Sequence, residues 1–367
     1  MIRILHFGFQ VDMAIGIRNQ LSFERSAAAS LEPDFLWDTK FFTSQKKDEC
    51  DYITFIDTDS SNGILNPVTR YFNLRFRAFE WLKNNRSKYD ILLLRYSLAD
   101  PIQYIHSFWF KNVFTIHHSL EIGEAGLAGG GKGFAKAFLE KEIGKRVIAR
   151  TKGIIGVTNE IARYENARAA AKKPTYCYPS GIDLETTELA EDERTGILKL
   201  LIIASTFAPW HGLDRLINTL KLSQDKFELH IVGNLSDELV KYCADDGRFI
   251  IHGLQNKGYI HNLTAKCDLA FGSFALDLIG MTEACTLKAR EYLASGLPVY
   301  ASDRDSALSD AFPFYRYGVL EATTILDYAN TCRKFSREEV RTAAAPFIDK
   351  KILMRRLAEW ISKNYTT

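Results

Sequence analysis

Short apolar runs alternate with longer amphipathic segments along most of this 367-residue chain. The runs predict strands over 2–9, 91–95, 113–117, 153–157, 198–204, 227–232, 249–251, 269–271 and 299–301, with weaker ones near Phe35 and Tyr52. They are apolar on both faces, which is typical of parallel strands covered by helices on either side. The alternation therefore predicts an α/β protein with doubly wound sheets.

The alternation starts a second time after residue 194. The run YPSGID at 178–183 is followed by a polar, acidic stretch and then by a strongly apolar strand at 200–203. Polar, exposed segments of this kind are where domains usually meet, and the length alone suggests two domains. We predict an N-terminal Rossmann-like domain over 1–184 and a second over 195–345. A C-terminal helix over 346–367 is expected to pack back toward the first domain.

Composition excludes several classes of protein. The 47 basic and 45 acidic side chains give a net charge of +2, which argues against nucleic-acid binding through bulk charge. The six cysteines show no Cys-x-x-Cys pair or other metal-ligand spacing, so free thiols, a reducing compartment and no metal are expected. No secretory leader is recognised, and no apolar run approaches the roughly 20 residues that span a bilayer. We therefore expect a cytoplasmic protein.

The most informative stretch is GMTEACTLKAREYLASGLPVY at 280–300. A loop leads into a helix from about Thr286, and Gly296 ends that helix. Glu283 and Glu291, eight positions apart, can contact different parts of one ligand at the helix N-terminus. Unpaired backbone N–H groups and the helix dipole favour a phosphate there, and Lys288 adds a full positive charge. The plainer alternative is a glycine-capped surface helix with solvated glutamates.

This stretch resembles the Glu-x7-Glu donor motif of retaining glycosyltransferases with the GT-B fold, specifically glycosyltransferase family 4 of the bacterial surface-polysaccharide type. The resemblance implies two Rossmann-like domains that face each other across a cleft. It also implies that Glu283 hydrogen-bonds hydroxyls of the donor sugar and that Glu291 binds the nucleotide ribose. Lys288 and the backbone N–H groups of the loop would contact the diphosphate; the loop residues are Ala284, Cys285, Thr286 and Leu287.

A second segment, STFAPWHGLDRLI at 205–217, resembles the family element that commonly carries Gly-Arg and then Lys-Gly. Ser205 and Thr206 stand at the first pair, so threonine replaces the arginine, and His211 replaces the lysine. The resemblance then implies that Lys288 and the helix dipole compensate more of the diphosphate charge. His211 would donate a hydrogen bond, or a charge if the phosphates raise its pKa. A loop histidine that caps a helix is the alternative.

The first domain resembles the family mainly in layout. FTIHHS at 114–119 ends a strand where members commonly place a histidine facing the donor sugar, and His117 matches better than His118. The opening loop often carries a Gly-Gly pair in the family. Here Gly8 and Gly16 are separated, and Gly16 is the expected phosphate contact. The glycine run at 129–133 is not a phosphate loop, because its lysine is followed by Gly133 rather than Ser or Thr.

The resemblance implies a metal-independent hexosyltransferase that needs no cofactor. Its donor would be a UDP- or GDP-sugar, and its acceptor a glycan or lipid-linked glycan of surface-polysaccharide biosynthesis. A GT-B nucleotide-sugar epimerase or hydrolase and a non-catalytic sugar-nucleotide binding subunit remain open. A Rossmann oxidoreductase is disfavoured because Gly-x-Gly-x-x-Gly is absent after both opening strands.

Two expected helices, over 70–88 and 132–150, mix basic with apolar residues. Helices of this composition can lie on anionic membranes, for instance the inner face of the plasma membrane. Packing against the sheet with a solvated basic face explains the same pattern. The sequence leaves both interpretations open.

Overall fold

A computed structural model describes residues 1–57, 67–120, 122–123 and 130–365. Gly129 of the glycine run therefore lies outside the described residues. The chain divides into two compact units: Met1–Pro179 with Lys350–Thr367, and Ser180–Asp349. The sequence-based boundaries at 184 and 345 lie five and four residues from these divisions.

The first unit contains a parallel seven-stranded sheet in the order β3-β2-β1-β4-β5-β6-β7. Its strands are β1 (Ile2–Gln10), β2 (Phe35–Thr43), β3 (Ile53–Phe55), β4 (Ile91–Arg95), β5 (Val113–His117), β6 (Gly153–Gly156) and β7 (Thr175–Cys177). Its described helices include Ile15–Ala28, Pro67–Asn85, Pro101–His106, Gly130–Ala149, Asn159–Arg168 and Lys350–Tyr365. From β1 the order runs to β2 and β3 on one side and to β4, β5 and β6 on the other, as a doubly wound sheet requires.

The second unit repeats this plan with a parallel six-stranded sheet in the order β10-β9-β8-β11-β13-β15. Its strands are β8 (Leu198–Thr206), β9 (Phe227–Asn234), β10 (Phe249–Gly253), β11 (Leu269–Phe271), β13 (Val299–Ala301) and β15 (Tyr315–Tyr317). A separate pair joins β12 (Glu283–Ala284) to β14 (Arg304–Asp305). Its described helices include Leu213–Lys221, Asp237–Ala244, Lys257–Lys266, Leu287–Ala294, Ala322–Cys332 and Arg337–Ile348.

The core of the first unit lies on both faces of its sheet. Ile4 and Leu93 belong to a cluster on one face, and Leu5 and Leu92 to a cluster on the other. Successive strand residues point to opposite faces, so a strand covered on both sides is apolar throughout. The C-terminal helix Lys350–Tyr365 contributes residues to the first of these clusters.

The α/β class with two doubly wound parallel sheets is confirmed, and each long apolar run is a strand close to the predicted bounds. The two basic helices begin slightly earlier than expected, at Pro67 and Gly130. Across the described ranges, no helix combines the length and apolar character that a membrane crossing requires.

Candidate functional site

The candidate site of the second unit begins where β8 ends. Ser205 and Thr206 are the last residues of this strand, and both side chains are exposed. The neighbouring strand β9 approaches closely through Gly233, which has a φ of +132°. A Cβ on Gly233 would lie 1.7 Å from the Ala204 carbonyl oxygen, so only glycine fits. Ligands of doubly wound sheets bind at this carboxyl edge.

Helix Leu287–Ala294 presents its N-terminus within this unit. Thr286 is the N-cap, and its Oγ1 accepts a hydrogen bond of 3.4 Å from the Ala289 N–H. The helix stops before Gly296, whose φ of +78° is the left-handed conformation expected after a helix end. The first amides of the helix point out of its end and carry the positive side of the helix dipole. The start and stop predicted from the sequence are confirmed.

Lys288, in the first turn of this helix, carries a buried ammonium group. Its Nζ has no hydrogen-bond partner among the described residues. Burial lowers the pKa of Lys288 to about 8, so the group is still mostly protonated at neutral pH. A buried cation without a partner is costly, because the water it has lost is not replaced by other polar groups. An anion bound at this position would supply the missing partner.

His211 lies in the short helical turn Pro209–His211 after β8. The Ala208 N–H donates a hydrogen bond of 2.9 Å to Nδ1 of His211, so the ring proton of the neutral tautomer is on Nε2. Burial, together with the positive charge of Lys288, lowers the pKa of His211 to about 4. The ring is therefore neutral at pH 7 and offers Nε2–H as a hydrogen-bond donor.

The two glutamates of the motif differ in their surroundings. Glu283 is buried, and its Oε2 accepts a hydrogen bond of 2.5 Å from the Ser306 hydroxyl. Glu291 is exposed on the following helix. One carboxylate is thus held in a fixed orientation, and the other is accessible to a ligand.

An internal ion pair, missed at the sequence level, holds the loop before the helix. Arg290 is fully buried and donates to both Asp305 carboxylate oxygens, at 2.8 and 2.7 Å. It also donates to the Ser180 carbonyl at 3.0 Å and to Cys285 Sγ at 3.1 Å. Burial raises the pKa of the Cys285 thiol, which is therefore neutral and structural. Arg290 positions the loop from Glu283 to Thr286 without being exposed itself.

The first unit has its own cavity, of about 710 Å³, at the carboxyl ends of β1, β4 and β5. Arg95, at the end of β4, and His118, just after β5, both line it. Arg95 Nη1 lies 2.7 Å from His118 Nε2. A guanidinium can only donate, so Nε2 of His118 accepts and is unprotonated. This cavity is large enough for a sugar-sized ligand.

His117 lies beneath this cavity and has no exposed surface. Its ring stacks on Tyr96 at a centroid distance of 4.4 Å, and its Nδ1 is 3.4 Å from Glu165. Burial lowers the pKa of His117 to about 4 despite that carboxylate. In this conformation the ring supports the cavity wall, and His118 is the histidine that a ligand can reach.

A buried network continues from His117 and fixes the loop after β4. Arg168 pairs with both Glu165 and Glu140. Glu140 in turn accepts hydrogen bonds from the Tyr96 hydroxyl at 2.7 Å and the Ala99 N–H at 2.6 Å. The φ of Ala99 is +52°, a strained value for alanine, which the bond to Glu140 helps to maintain.

The predicted site residues therefore fall into two groups. Gly16 lies in the first turn of helix Ile15–Ala28 and, like His117, belongs to the first unit. The remaining ten belong to the second unit: Ser205, Thr206, His211, Glu283, Ala284, Cys285, Thr286, Leu287, Lys288 and Glu291. Among the described residues, no group of three or more His, Cys, Asp or Glu is arranged to hold a metal ion.

No family model matches this chain, and no curated protein matches its sequence. Solved structures do match in fold. A glycosyltransferase from Rickettsia africae has a TM-score of 0.67 at 14% identity, with 99% of this chain and 98% of that chain covered. The apo form of the lipopolysaccharide outer core galactosyltransferase WaaB has a TM-score of 0.64 at 14% identity, covering 99% and 100%.

HepE from Anabaena, solved in complex with UDP-glucose, has a TM-score of 0.62 at 14% identity and covers 99% of this chain and 100% of that chain. At these identities the likeness shows the fold alone. The chain has the fold of GT-B glycosyltransferases, built from two Rossmann-like units.

Proposed function

We propose that this protein is a retaining glycosyltransferase of family 4 that uses a nucleotide-diphosphate-sugar donor. The observation that carries the proposal is the buried Lys288 ammonium at the N-terminus of helix Leu287–Ala294, which finds no hydrogen-bond partner in the described part of the chain. A cation in this state, combined with a helix dipole, favours a ligand with concentrated negative charge. A diphosphate meets this description. The UDP and UDP-glucose complexes of HepE, which has the same fold, add support.

Most of the predicted site residues of the second unit have a role in the proposed donor complex. Lys288, the helix N-terminus and Nε2–H of His211 contact the diphosphate. Glu291 accepts hydrogen bonds from the ribose hydroxyls, and the fixed carboxylate of Glu283 accepts them from the donor sugar. Ser205 and Thr206 contribute polar groups at the strand end. His117 holds the wall of the first-unit cavity, and Gly16 stays a proposed phosphate contact.

The proposed reaction needs no acid/base residue of the protein at the reacting carbon. The bond from the sugar C1 to the diphosphate oxygen breaks as the acceptor oxygen bonds to C1 on the same face. The acceptor proton moves to the departing phosphate oxygen. Lys288 and the helix amides stabilise the charge that grows on this oxygen, an electrostatic contribution of the oxyanion-hole kind.

The stereochemical outcome is a direct test of this route. We expect the product to keep the α or β configuration that the donor sugar has, because entry and departure take place on one face. Proton NMR of the first product formed, through the anomeric coupling constant, measures it. A product with inverted configuration would contradict the retaining mechanism but not the assignment as a glycosyltransferase.

The experiment that tests the proposal itself is a donor panel. UDP-, GDP- and ADP-sugars are added in the presence of EDTA, and thermal unfolding is followed. We expect at least one nucleotide sugar to raise the unfolding temperature by several degrees at concentrations well above its Kd. Binding that is lost on chelation would contradict the proposed metal independence. Binding without transfer or hydrolysis would favour the non-catalytic binding subunit.

Replacing Glu291 by alanine should weaken nucleotide binding. Loss of a carboxylate that accepts from two ribose hydroxyls should raise the Kd of the free nucleotide by about tenfold to a hundredfold. Isothermal titration calorimetry with UDP and GDP measures this. Glu188→Ala, which removes an 84% exposed carboxylate of the same unit, is the matched control and should bind normally. Unchanged affinity in Glu291→Ala would remove the ribose assignment.

The acceptor and the cellular site complete the proposal. We propose a glycan or lipid-linked glycan acceptor of surface-polysaccharide biosynthesis, bound in the cavity of the first unit. We also propose that the protein makes peripheral contact with the cytoplasmic face of an anionic membrane. Helix Gly130–Ala149 supports this contact, since Phe134 and Phe138 are exposed on it together with the basic Lys141.

A further inference from the structure

A second cavity, of about 500 Å³, opens on the first unit. Leu92 and Val113, at the amino ends of β4 and β5, line it together with Phe79 and Leu82 of helix Pro67–Asn85. Arg95, which lines the other cavity, is at the opposite end of β4. The two cavities are therefore distinct. The volume lies within the range of about 300–1,000 Å³ that small-ligand pockets occupy.

The wall of this second cavity is apolar and aromatic. The His106 ring stacks on Phe79 at a centroid distance of 4.3 Å, with only 4° between the ring planes. Burial, reinforced by the positive charge of Lys83, lowers the pKa of His106, so the ring is neutral at pH 7. Trp109 also lines the cavity and is 70% exposed. The interior suits a hydrocarbon chain better than a polar ligand.

Two cations, Lys83 and Arg86, line the same cavity. Arg86 donates to the backbone carbonyls of Tyr89 and Lys111. In the part of the chain that the structure describes, no carboxylate forms an ion pair with Lys83 or Arg86. The apolar cavity thus carries positive charge at its wall, which the nearby Asp90 carboxylate offsets only in part at Arg86.

Exposed apolar side chains also occur in the segment that contributes His106 and Trp109 to the cavity wall. Ile105, Phe108 and Trp109 are each about half exposed or more, and all belong to the segment that begins with helix Pro101–His106. The Arg150 guanidinium lies over the Phe108 ring, 4.0 Å from its centroid. Large apolar side chains clustered on a surface mark an interaction site, and aromatic rings beside basic groups suit a membrane interface.

We propose that this cavity binds one acyl chain of an anionic phospholipid, with the lipid phosphate on Lys83 and Arg86. A free sugar phosphate would satisfy the two cations but leave the apolar walls exposed to water. A zwitterionic lipid would fill the cavity with less electrostatic gain. The inference rests on the anionic membrane proposed above as a partner, adds a separate site at the amino ends of β4 and β5, and does not depend on sugar transfer.

The test uses the full-length protein and vesicles of phosphatidylcholine, alone or mixed with an equal part of phosphatidylglycerol. We expect tighter binding to the mixed vesicles by about tenfold or more, since each basic residue near an anionic surface adds to binding. Phosphatidylglycerol with brominated acyl chains should quench Trp109 fluorescence. The quenching should be absent in Trp109→Phe. The double variant Lys83→Gln, Arg86→Gln should lose most of the preference for the mixed vesicles.

Arg77→Gln is the matched control, because Arg77 is exposed on another side of the same helix. Equal loss of binding in Arg77→Gln would overturn the proposed site in favour of diffuse charge. Equal binding to both vesicles without quenching would also overturn it, as would a dimer in solution that protects Trp109. A UDP-induced thermal shift, recorded for every variant, verifies folding. The same measurement distinguishes failure of the lipid site from failure of the proposed function. A protein that binds lipid but no donor would contradict the proposed function and not the lipid site.

Discussion

A protein with methionine in place of Lys288 is expected to be more stable than the natural protein and nearly inactive in sugar transfer. The natural ammonium is buried with no hydrogen-bond partner among the residues that the structure describes, and burial has lowered its pKa from 10.5 to about 8. That shift corresponds to a cost on the order of 3 kcal/mol in the unliganded fold at neutral pH. Methionine has a similar length, fills the same space and carries no charge to desolvate.

The stability gain has a defined pH dependence. Between pH 8 and 10.5 the unfolded chain holds the lysine proton more tightly than the folded protein does. Raising the pH through this window therefore stabilises the natural protein, and the penalty is fully present only below it. We expect the difference in unfolding temperature between Lys288→Met and the natural protein to be largest near pH 7. It should shrink as the pH approaches 10.

The same substitution should lower the transfer rate by about a hundredfold to a thousandfold, as removal of a preorganised transition-state contact does. Differential scanning fluorimetry and a nucleotide-release assay measure the two effects. Lys334→Met, which removes an exposed lysine of the same unit, is the matched control and should change neither. A Lys288→Met protein that is less stable, or fully active, would contradict the proposed phosphate contact.

The two sheets could be predicted from the sequence because each long strand is apolar on both faces. Among the short strands, β11 and β13 are apolar runs as well, but others carry no such signal. β15 has the sequence Tyr-Arg-Tyr, with two of its three side chains exposed, and it pairs only at the sheet edge. The two-residue strands β12 and β14 exist because Glu283 pairs with Arg304 and Ala284 with Asp305. Such pairings depend on tertiary contacts, which local patterns do not encode.

In the candidate site, too, the helix ends could be predicted from neighbouring residues, whereas contacts between residues distant in sequence could not. Thr286 as N-cap and Gly296 after the helix are local signals, and both could be predicted. Local sequence does not distinguish Arg290 from an exposed basic residue of a helix. Its burial depends on Asp305, fifteen residues later, on a strand without a sequence signal. The orientation of a buried side chain is set by the partner that folding brings to it.

The histidine pair in the first unit illustrates a second limit of prediction from sequence, which concerns the direction of a side chain. His117 is the last residue of β5 and His118 follows it, and successive residues of an extended chain point to opposite sides. The family resemblance favours His117, but the residue pattern places both at a strand end and does not say which ring faces the ligand side. Packing of His117 against Tyr96, in the loop after β4, and Glu165, on helix Asn159–Arg168, decides this.

Glu283→Gln is expected to lower sugar transfer by about a hundredfold while free UDP or GDP binds with nearly its normal affinity. The carboxylate is buried, and its Oε2 accepts a 2.5 Å hydrogen bond from Ser306, so its orientation is set before the donor arrives. A carboxylate accepts stronger hydrogen bonds from sugar hydroxyls than a neutral amide does. Removing a contact that the donor sugar makes more strongly in the transition state lowers the transfer rate. It leaves the affinity for the free nucleotide nearly unchanged.

Ser306→Ala separates positioning from direct contact. It keeps the Glu283 charge but removes the hydroxyl that fixes it, so we expect a smaller loss of rate, of about tenfold. Transfer is measured by nucleotide release under saturating donor, and nucleotide affinity by calorimetry. If Glu283→Gln weakened UDP binding as strongly as transfer, Glu283 would be a nucleotide contact instead of a sugar contact. If both variants kept full activity, the carboxylate would have no part in the reaction, and the Glu283–Ser306 pair would serve only to join β12 and β14.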